Sequence, residues 1–103
     1  MKNLRIMVVD DHEVVRHGLH NLLSTQAGWE IVGEAVDGAE AVRKVNQLKP
    51  DVVIMDISMR IMSGLDATRL IMEAVPETRV IIFTMHHSEQ MMQAALKAGA
   101  CHF

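Results

Sequence analysis

The chain has 103 residues, half of them hydrophobic and only 3% aromatic, and its formal net charge is −3. This length supports one domain with an aliphatic, methionine-rich core, and the weak negative charge argues against a nucleic-acid-binding surface. The single cysteine, Cys101, excludes an internal disulfide and is consistent with a reducing compartment. The first apolar run is too short for a signal peptide and no run is long enough to cross a membrane, so we expect a cytoplasmic domain.

Apolar runs and helical periodicity alternate along the chain. The predicted strands are residues 4–9, 29–35, 52–55 and 79–83, and a fifth would begin at Cys101. The predicted helices are residues 13–23, 39–48, 65–74 and 89–98. Asp11 is the expected N-cap of the first helix, Ser88 that of the fourth, and Gly99 follows the fourth helix. This alternation with short connections predicts a doubly wound, mostly parallel α/β sheet with helices on both faces.

The stretch DVVIMDISMRIMSG, residues 51–64, contains the most informative strand. Its four apolar residues run directly into Asp56, which predicts a strand buried on both faces. Because a charge is costly to bury, we expect Asp56 at the carboxyl edge of the sheet, near water. Ligands of open α/β sheets bind beyond this edge, so Asp56 is the expected centre of the chemistry.

Polar residues follow two further strands, Asp10 and Asp11 after the first and Thr84 after the fourth. Parallel strands end at one edge, so three carboxylates and a hydroxyl should meet there. Neighbouring carboxylates repel one another, and a divalent cation such as Mg²⁺, which prefers oxygen ligands, relieves that repulsion. Asp10 and Asp11 could instead serve only as helix caps, but two adjacent acids beside a third favour the metal site. A carboxylate beside Mg²⁺ can accept a phosphoryl group.

The segments VVDDHEVVRHGLHNLL, DVVIMDISMRIMSGLDATRLI, VIIFTMH and KAGACHF resemble the receiver domain of bacterial two-component response regulators. They are most similar to the NarL/FixJ (LuxR-type) transcription factors. The resemblance covers the whole chain and implies a flavodoxin-like fold with strand order 2-1-3-4-5. It also implies that a partner histidine kinase phosphorylates Asp56. The implied Mg²⁺ ligands are Asp10, Asp11 as the direct ligand, Asp56 and the backbone carbonyl of Ser58.

The same resemblance implies the parts of a conformational switch. Thr84 would be the switch hydroxyl that bonds the phosphoryl group, and Phe103 the switch aromatic that turns inward with it. Ser58 and His86 would flank the phosphoryl site and tune its hydrolysis. The domain would carry out only phosphotransfer and its own dephosphorylation, and it would not be an enzyme for another substrate.

Two departures from the family pattern leave alternatives open. Arg60 stands where the family usually has proline, and the family's phosphate-binding lysine would lie three residues beyond Phe103. Lys97, on the fourth helix, does not replace that lysine. We therefore expect residues 1–103 to form a receiver domain without the end of its fifth strand and without its fifth helix. An open sheet edge of this kind leaves a homodimer or a swapped element as alternatives.

The main competing interpretation is a degenerate receiver that dimerises without phosphorylation. The missing lysine and Arg60 favour it, whereas the intact acidic set opposes it. A haloacid-dehalogenase-type hydrolase would need a DxD pattern, but Asp10 is followed by Asp11 and His12. DNA binding is expected only through an output domain that this chain lacks. The six histidines are interpreted as solvated or helix-face residues, because none belongs to a CxxC or HExxH motif.

Overall fold

The computed structural model describes residues 3–57, 59, 61–83 and 89–100. The elements in chain order are β1 (Leu4–Val9), α1 (Glu13–Ser24), β2 (Trp29–Ala35), α2 (Gly38–Leu48), β3 (Val52–Met55), α3 (Gly64–Ala74), β4 (Arg79–Ile82) and α4 (Glu89–Ala98). These eight elements confirm the predicted ones. The predicted fifth strand lies outside the described residues. None of the described helices combines the length and the apolar character that a membrane span requires.

The four strands form one parallel sheet in the order β2-β1-β3-β4. This order confirms the predicted sequence 2-1-3-4 for the described strands. The register pairs Val9 with Ala35 on one side and with Met55 on the other, and Met55 with Ile82. The last residues of all four strands therefore lie in one row, and whatever follows them is brought to the same edge.

The two faces of the sheet are covered unequally. Helices α2, α3 and α4 pack over one face, where the inward residues of the strands are buried, including Met7, Val53 and Val80. Helix α1 packs against β1 and β2 on the opposite face. On that face Val52 and Ile54 of β3 are only partly buried. The expectation that β3 is buried on both faces is therefore wrong, because no described helix covers β3 on the α1 side.

The helix starts show which side chains act as caps. Asp37 accepts a hydrogen bond from the backbone N–H of Glu40 at 2.8 Å, and it begins α2 as a conventional N-cap. The N-cap of α1 is His12 and not Asp11 as predicted. The carboxylate of Asp10 accepts the N–H of His12 at 2.8 Å, and α1 begins at Glu13, where the sequence predicts it.

Candidate functional site

Backbone hydrogen bonds continue past the strand ends and align the residues that follow them. The N–H of Asp10 donates to the carbonyl of Ala35 at 3.1 Å, and the N–H of Asp56 donates to the carbonyl of Val9 at 3.0 Å. In the same way, the N–H of Phe83 donates to the carbonyl of Met55 at 2.8 Å. Asp10 and Asp56 are thus neighbours at the carboxyl edge of the sheet, where the sequence pattern predicts them.

An acidic cluster, which we define as Asp10, Asp11, His12 and Asp56, occupies this edge. One carboxylate oxygen from each aspartate and one ring nitrogen of His12 all lie within 4.8 Å of one another. Asp10 and Asp56 are buried, with exposures of 4% and 7%, and Asp11 is partly buried. The predicted edge position of Asp56 is correct, and the residue is buried there.

The loop between β3 and α3 explains this burial, because it folds back over the end of β3. The N–H of Gly64 donates to the carbonyl of Ile57 at 2.8 Å and brings the start of α3 against the backbone of Asp56. A Cβ atom at position 64 would overlap the carbonyl oxygen of Asp56, so glycine is required by this close approach. The loop also contains Ile61, which has a φ of 68°, an uncommon conformation for a β-branched residue.

Asp11 provides the test of whether a cation fits the cluster. Its Oδ1 atom is buried and has no hydrogen-bond partner within the described part of the chain. The nearby Nδ1 of His12, at 2.9 Å, makes its hydrogen bond with Asp10 instead. A buried carboxylate oxygen without a hydrogen bond is costly, and a hard divalent cation such as Mg²⁺ takes oxygen ligands of this kind. The donor set of the cluster therefore fits a divalent cation.

His12 joins the cluster, although the sequence pattern indicates that the histidines are solvated or helix-face residues. Its Nδ1 lies 3.0 Å from Oδ1 of Asp10 and 2.9 Å from Oδ1 of Asp11, and the side chain is 68% exposed. The hydrogen bond with Asp10 raises the pKa of His12, and the negative charges of Asp11, Asp10 and Asp56 raise it further. The sequence feature that could have indicated this contact is the position of His12 directly after two acids.

Arg16 supports the cluster from α1. Its guanidinium donates to the backbone carbonyl of Asp10 at 2.8 Å and to Oε1 of Glu34 at 3.2 Å, and the side chain is only 15% exposed. His20, one turn further along α1, contacts the other carboxylate oxygen of Glu34 at 3.0 Å. Arg16 and His20 of α1 both contact Glu34 on β2, and Arg16 also donates to the carbonyl of Asp10, just after β1. Sequence reasoning missed this contact, because it joins residues on different elements.

A cavity of about 310 Å³ adjoins the acidic cluster and is lined by Asp11, Val36, Asp37 and Ile61. Ile61 is 85% exposed and Val36 is 43% exposed, so apolar side chains border the acids on the outside. Four of the predicted site residues cannot be compared with the structure. Ser58, Thr84, His86 and Phe103 lie outside the described residues, as does Arg60.

Comparison with known protein families gives a match over nearly the whole chain. Residues 6–103 match the response regulator receiver domain family. The chain is 41% identical over 96 residues to the response regulator protein VraR of Staphylococcus aureus. That match covers 93% of this chain and 46% of VraR, so the chain spans about half the length of this relative.

Solved structures agree with this assignment. The signal receiver domain of the putative response regulator NarL from Mycobacterium tuberculosis superposes with a TM-score of 0.96 and 32% identity. That likeness covers 100% of this chain and 83% of the NarL chain. The CheX-CheY-BeF3-Mg²⁺ complex from Borrelia burgdorferi gives a TM-score of 0.89 at 31% identity, over 97% of this chain and 75% of that chain. The sheet order, the sequence match and these likenesses show that the chain belongs to the receiver domain family of two-component response regulators, with relatives of the LuxR and NarL type and a flavodoxin-like fold.

Proposed function

We propose that this chain is a phosphoacceptor module in which Asp56 takes a phosphoryl group from a partner histidine kinase. The observation that carries the proposal is the acidic cluster, where the Asp56 carboxylate lies with Asp10 and Asp11 at the carboxyl edge of the sheet. Asp10, Asp11 and Asp56 would hold a divalent cation such as Mg²⁺, together with the backbone carbonyl of Ser58. The CheY complex from Borrelia burgdorferi is described with Mg²⁺, which supports a divalent cation at this site.

Asp56 is suited to act as the nucleophile. One of its carboxylate oxygens forms a bond to phosphorus while the bond from phosphorus to the donor's imidazole nitrogen breaks, and the imidazole leaves with that electron pair. The burial of Asp56 strengthens every electrostatic interaction at the carboxylate. A bound cation supplies positive charge that neutralises the transferring group. Arg16 fixes the backbone of Asp10 and so keeps the neighbouring acids in place.

Phosphorylation then acts as the switch. It adds negative charge and acceptor oxygens at Asp56, and Thr84 gains a partner that exists only in the phosphorylated state. Phe103 turns inward together with Thr84. The residues Ser58 and His86 set the lifetime of the phosphoryl group. The equilibrium between two packings of the domain then shifts. In a longer protein that carries this domain, the shift controls a separate DNA-binding domain in the cytoplasm, and the protein forms a homodimer.

The proposal is tested by intact mass measurement after incubation with acetyl phosphate and Mg²⁺. We expect the chain to gain one phosphoryl group, Asp56→Asn to gain none, and Asp11→Asn to gain much less. Asp66→Asn is the matched control, because Asp66 is an exposed acid on α3 that pairs only with Arg69 in the described part of the chain. It should be phosphorylated like the unsubstituted chain.

Two outcomes would contradict the proposal. An equal mass gain in Asp56→Asn would place the phosphoryl group on another residue. No gain in the unsubstituted chain would favour the degenerate receiver that dimerises without phosphorylation, and a measurement of its molar mass in solution would then show a dimer under the same conditions.

A further inference from the structure

His12 lies in the acidic cluster but has no part in the function proposed above. Its imidazole reaches the cluster from the N-terminus of α1, and its side chain caps nothing there. Its backbone N–H is bound at 2.8 Å by Asp10, the same carboxylate that its ring contacts at 3.0 Å. The position of the ring beside the acids is therefore set from both its backbone and its side chain.

Two of the distances at His12 equal the separation of neighbouring ligands of one octahedral ion. Ligand atoms about 2.1 Å from such an ion are separated by about 3.0 Å along each edge of the octahedron. Nδ1 of His12 is 3.0 Å from Oδ1 of Asp10 and 2.9 Å from Oδ1 of Asp11. The imidazole nitrogen is therefore as close to both carboxylate oxygens as two ligands of one ion would be.

We infer that His12 is a nitrogen ligand of the cation held by the acidic cluster, and that it makes the site prefer a divalent transition-metal ion, such as Mn²⁺, over Mg²⁺. This inference rests on the proposed metal site. Mg²⁺ is a hard ion that favours oxygen ligands, whereas the first-row transition-metal ions also take nitrogen ligands, Mn²⁺ least strongly among them. Three carboxylates alone discriminate weakly among these ions, and the added nitrogen shifts the balance toward the transition metal.

The first test compares Mn²⁺ and Mg²⁺ affinities by isothermal titration calorimetry in the unsubstituted chain and in His12→Ala. We expect the loss of the ligand to weaken Mn²⁺ binding by at least about tenfold, the lower end of what the loss of even an outer-shell partner costs. Mg²⁺ affinity should change much less. His17→Ala is the matched control, because His17 lies on the same helix and is 67% exposed, close to the 68% of His12. It should leave both affinities unchanged.

The second test detects the ligand directly and does not depend on affinity. Pulsed electron paramagnetic resonance of the Mn²⁺-loaded chain should show coupling to a histidine nitrogen, with the expected change of frequency when histidine carries nitrogen-15. The coupling should disappear in His12→Ala and persist in His17→Ala. A histidine that only positions Asp10 through a hydrogen bond would give no such direct coupling.

The failure of this inference is distinguishable from the failure of the proposed function. One result would overturn the role of His12 and leave the metal site standing. In it, Mn²⁺ binding is lost in Asp11→Asn, the Mn²⁺-loaded chain shows no nitrogen coupling, and His12→Ala keeps the same preference between Mn²⁺ and Mg²⁺. Binding of neither ion, or binding that Asp11→Asn does not affect, would overturn both.

Discussion

Ile61 holds a strained conformation in the loop beside Asp56, and replacing it with glycine should stabilise the domain. Its φ of 68° is in the left-handed region, which costs an L-amino acid about 1–2 kcal/mol and glycine almost nothing. Glycine also gives the unfolded chain more freedom, which costs about 0.4–1 kcal/mol. Because the side chain is 85% exposed, its loss removes little packing. The difference leaves a net gain of about 0.5–1 kcal/mol for Ile61→Gly.

Urea denaturation followed by circular dichroism measures this gain. The midpoint should rise with no change in the slope of the free energy of unfolding, because the area exposed on unfolding stays the same. In a domain of this size the melting temperature should rise by about 3–6 °C. Ile61→Ala is the matched control, since it removes the same exposed side chain but keeps the Cβ atom that causes the strain. We expect it to change stability by less than about 0.5 kcal/mol.

The stabilities of Ile61→Gly and Ile61→Ala together test whether the left-handed backbone is the source of the strain. If Ile61→Gly were no more stable than Ile61→Ala, the left-handed backbone would not be the source of strain. If both variants were clearly less stable than the unsubstituted chain, the Ile61 side chain would contribute packing that its exposure does not show.

Three further substitutions test the site. Gly64→Ala places a Cβ against the backbone of the neighbouring loop and should cost about 2 kcal/mol or more in urea denaturation, with loss of Mg²⁺ binding by calorimetry. Arg16→Met should cost about 2 kcal/mol because its mostly buried side chain donates to a carbonyl and a carboxylate, whereas Arg43→Met, which breaks an exposed pair, should cost under about 0.5 kcal/mol. In metal-free buffer, nuclear magnetic resonance should give His12 a pKa above its ordinary value of about 6.5, and Asp10→Asn should lower it. A raised pKa of His12 in the folded state stabilises the fold. This stabilisation is fully present below the unfolded-state pKa and is lost as pH rises through the folded-state pKa. A His12 pKa at its ordinary value would contradict the contacts with Asp10 and Asp11.

The order of elements could be predicted from local patterns. Apolar runs and helical periodicity depend on residues close in the chain, and they place the ends of the described strands and helices to within one residue. The N-cap of α1 was harder to predict, because Asp10 makes a side-chain contact with the backbone of His12. Such a contact is not visible in the spacing of apolar residues.

The acids of the site could also be predicted, but the roles of their neighbours could not. Residues that follow parallel strands meet at one edge, and this rule alone brings Asp10 and Asp56 together. No comparable rule predicts the contacts that His12 and Arg16 make. Their contribution depends on how α1 packs on β1 and β2 and on the register that brings Glu34 opposite Arg16, 18 residues away in the chain.

Local sequence patterns are enough to predict the parallel α/β architecture and the acidic edge, because both follow from the alternation of strands and helices and from the residues at the strand ends. Three other features depend on the folded structure: the burial of Asp56, the contacts of His12 with two aspartates, and the left-handed conformation of Ile61. The physical reason is the range of the interactions. Propensity and periodicity act within a few residues, whereas burial, carboxylate contacts and loop strain arise only when separate elements are brought together.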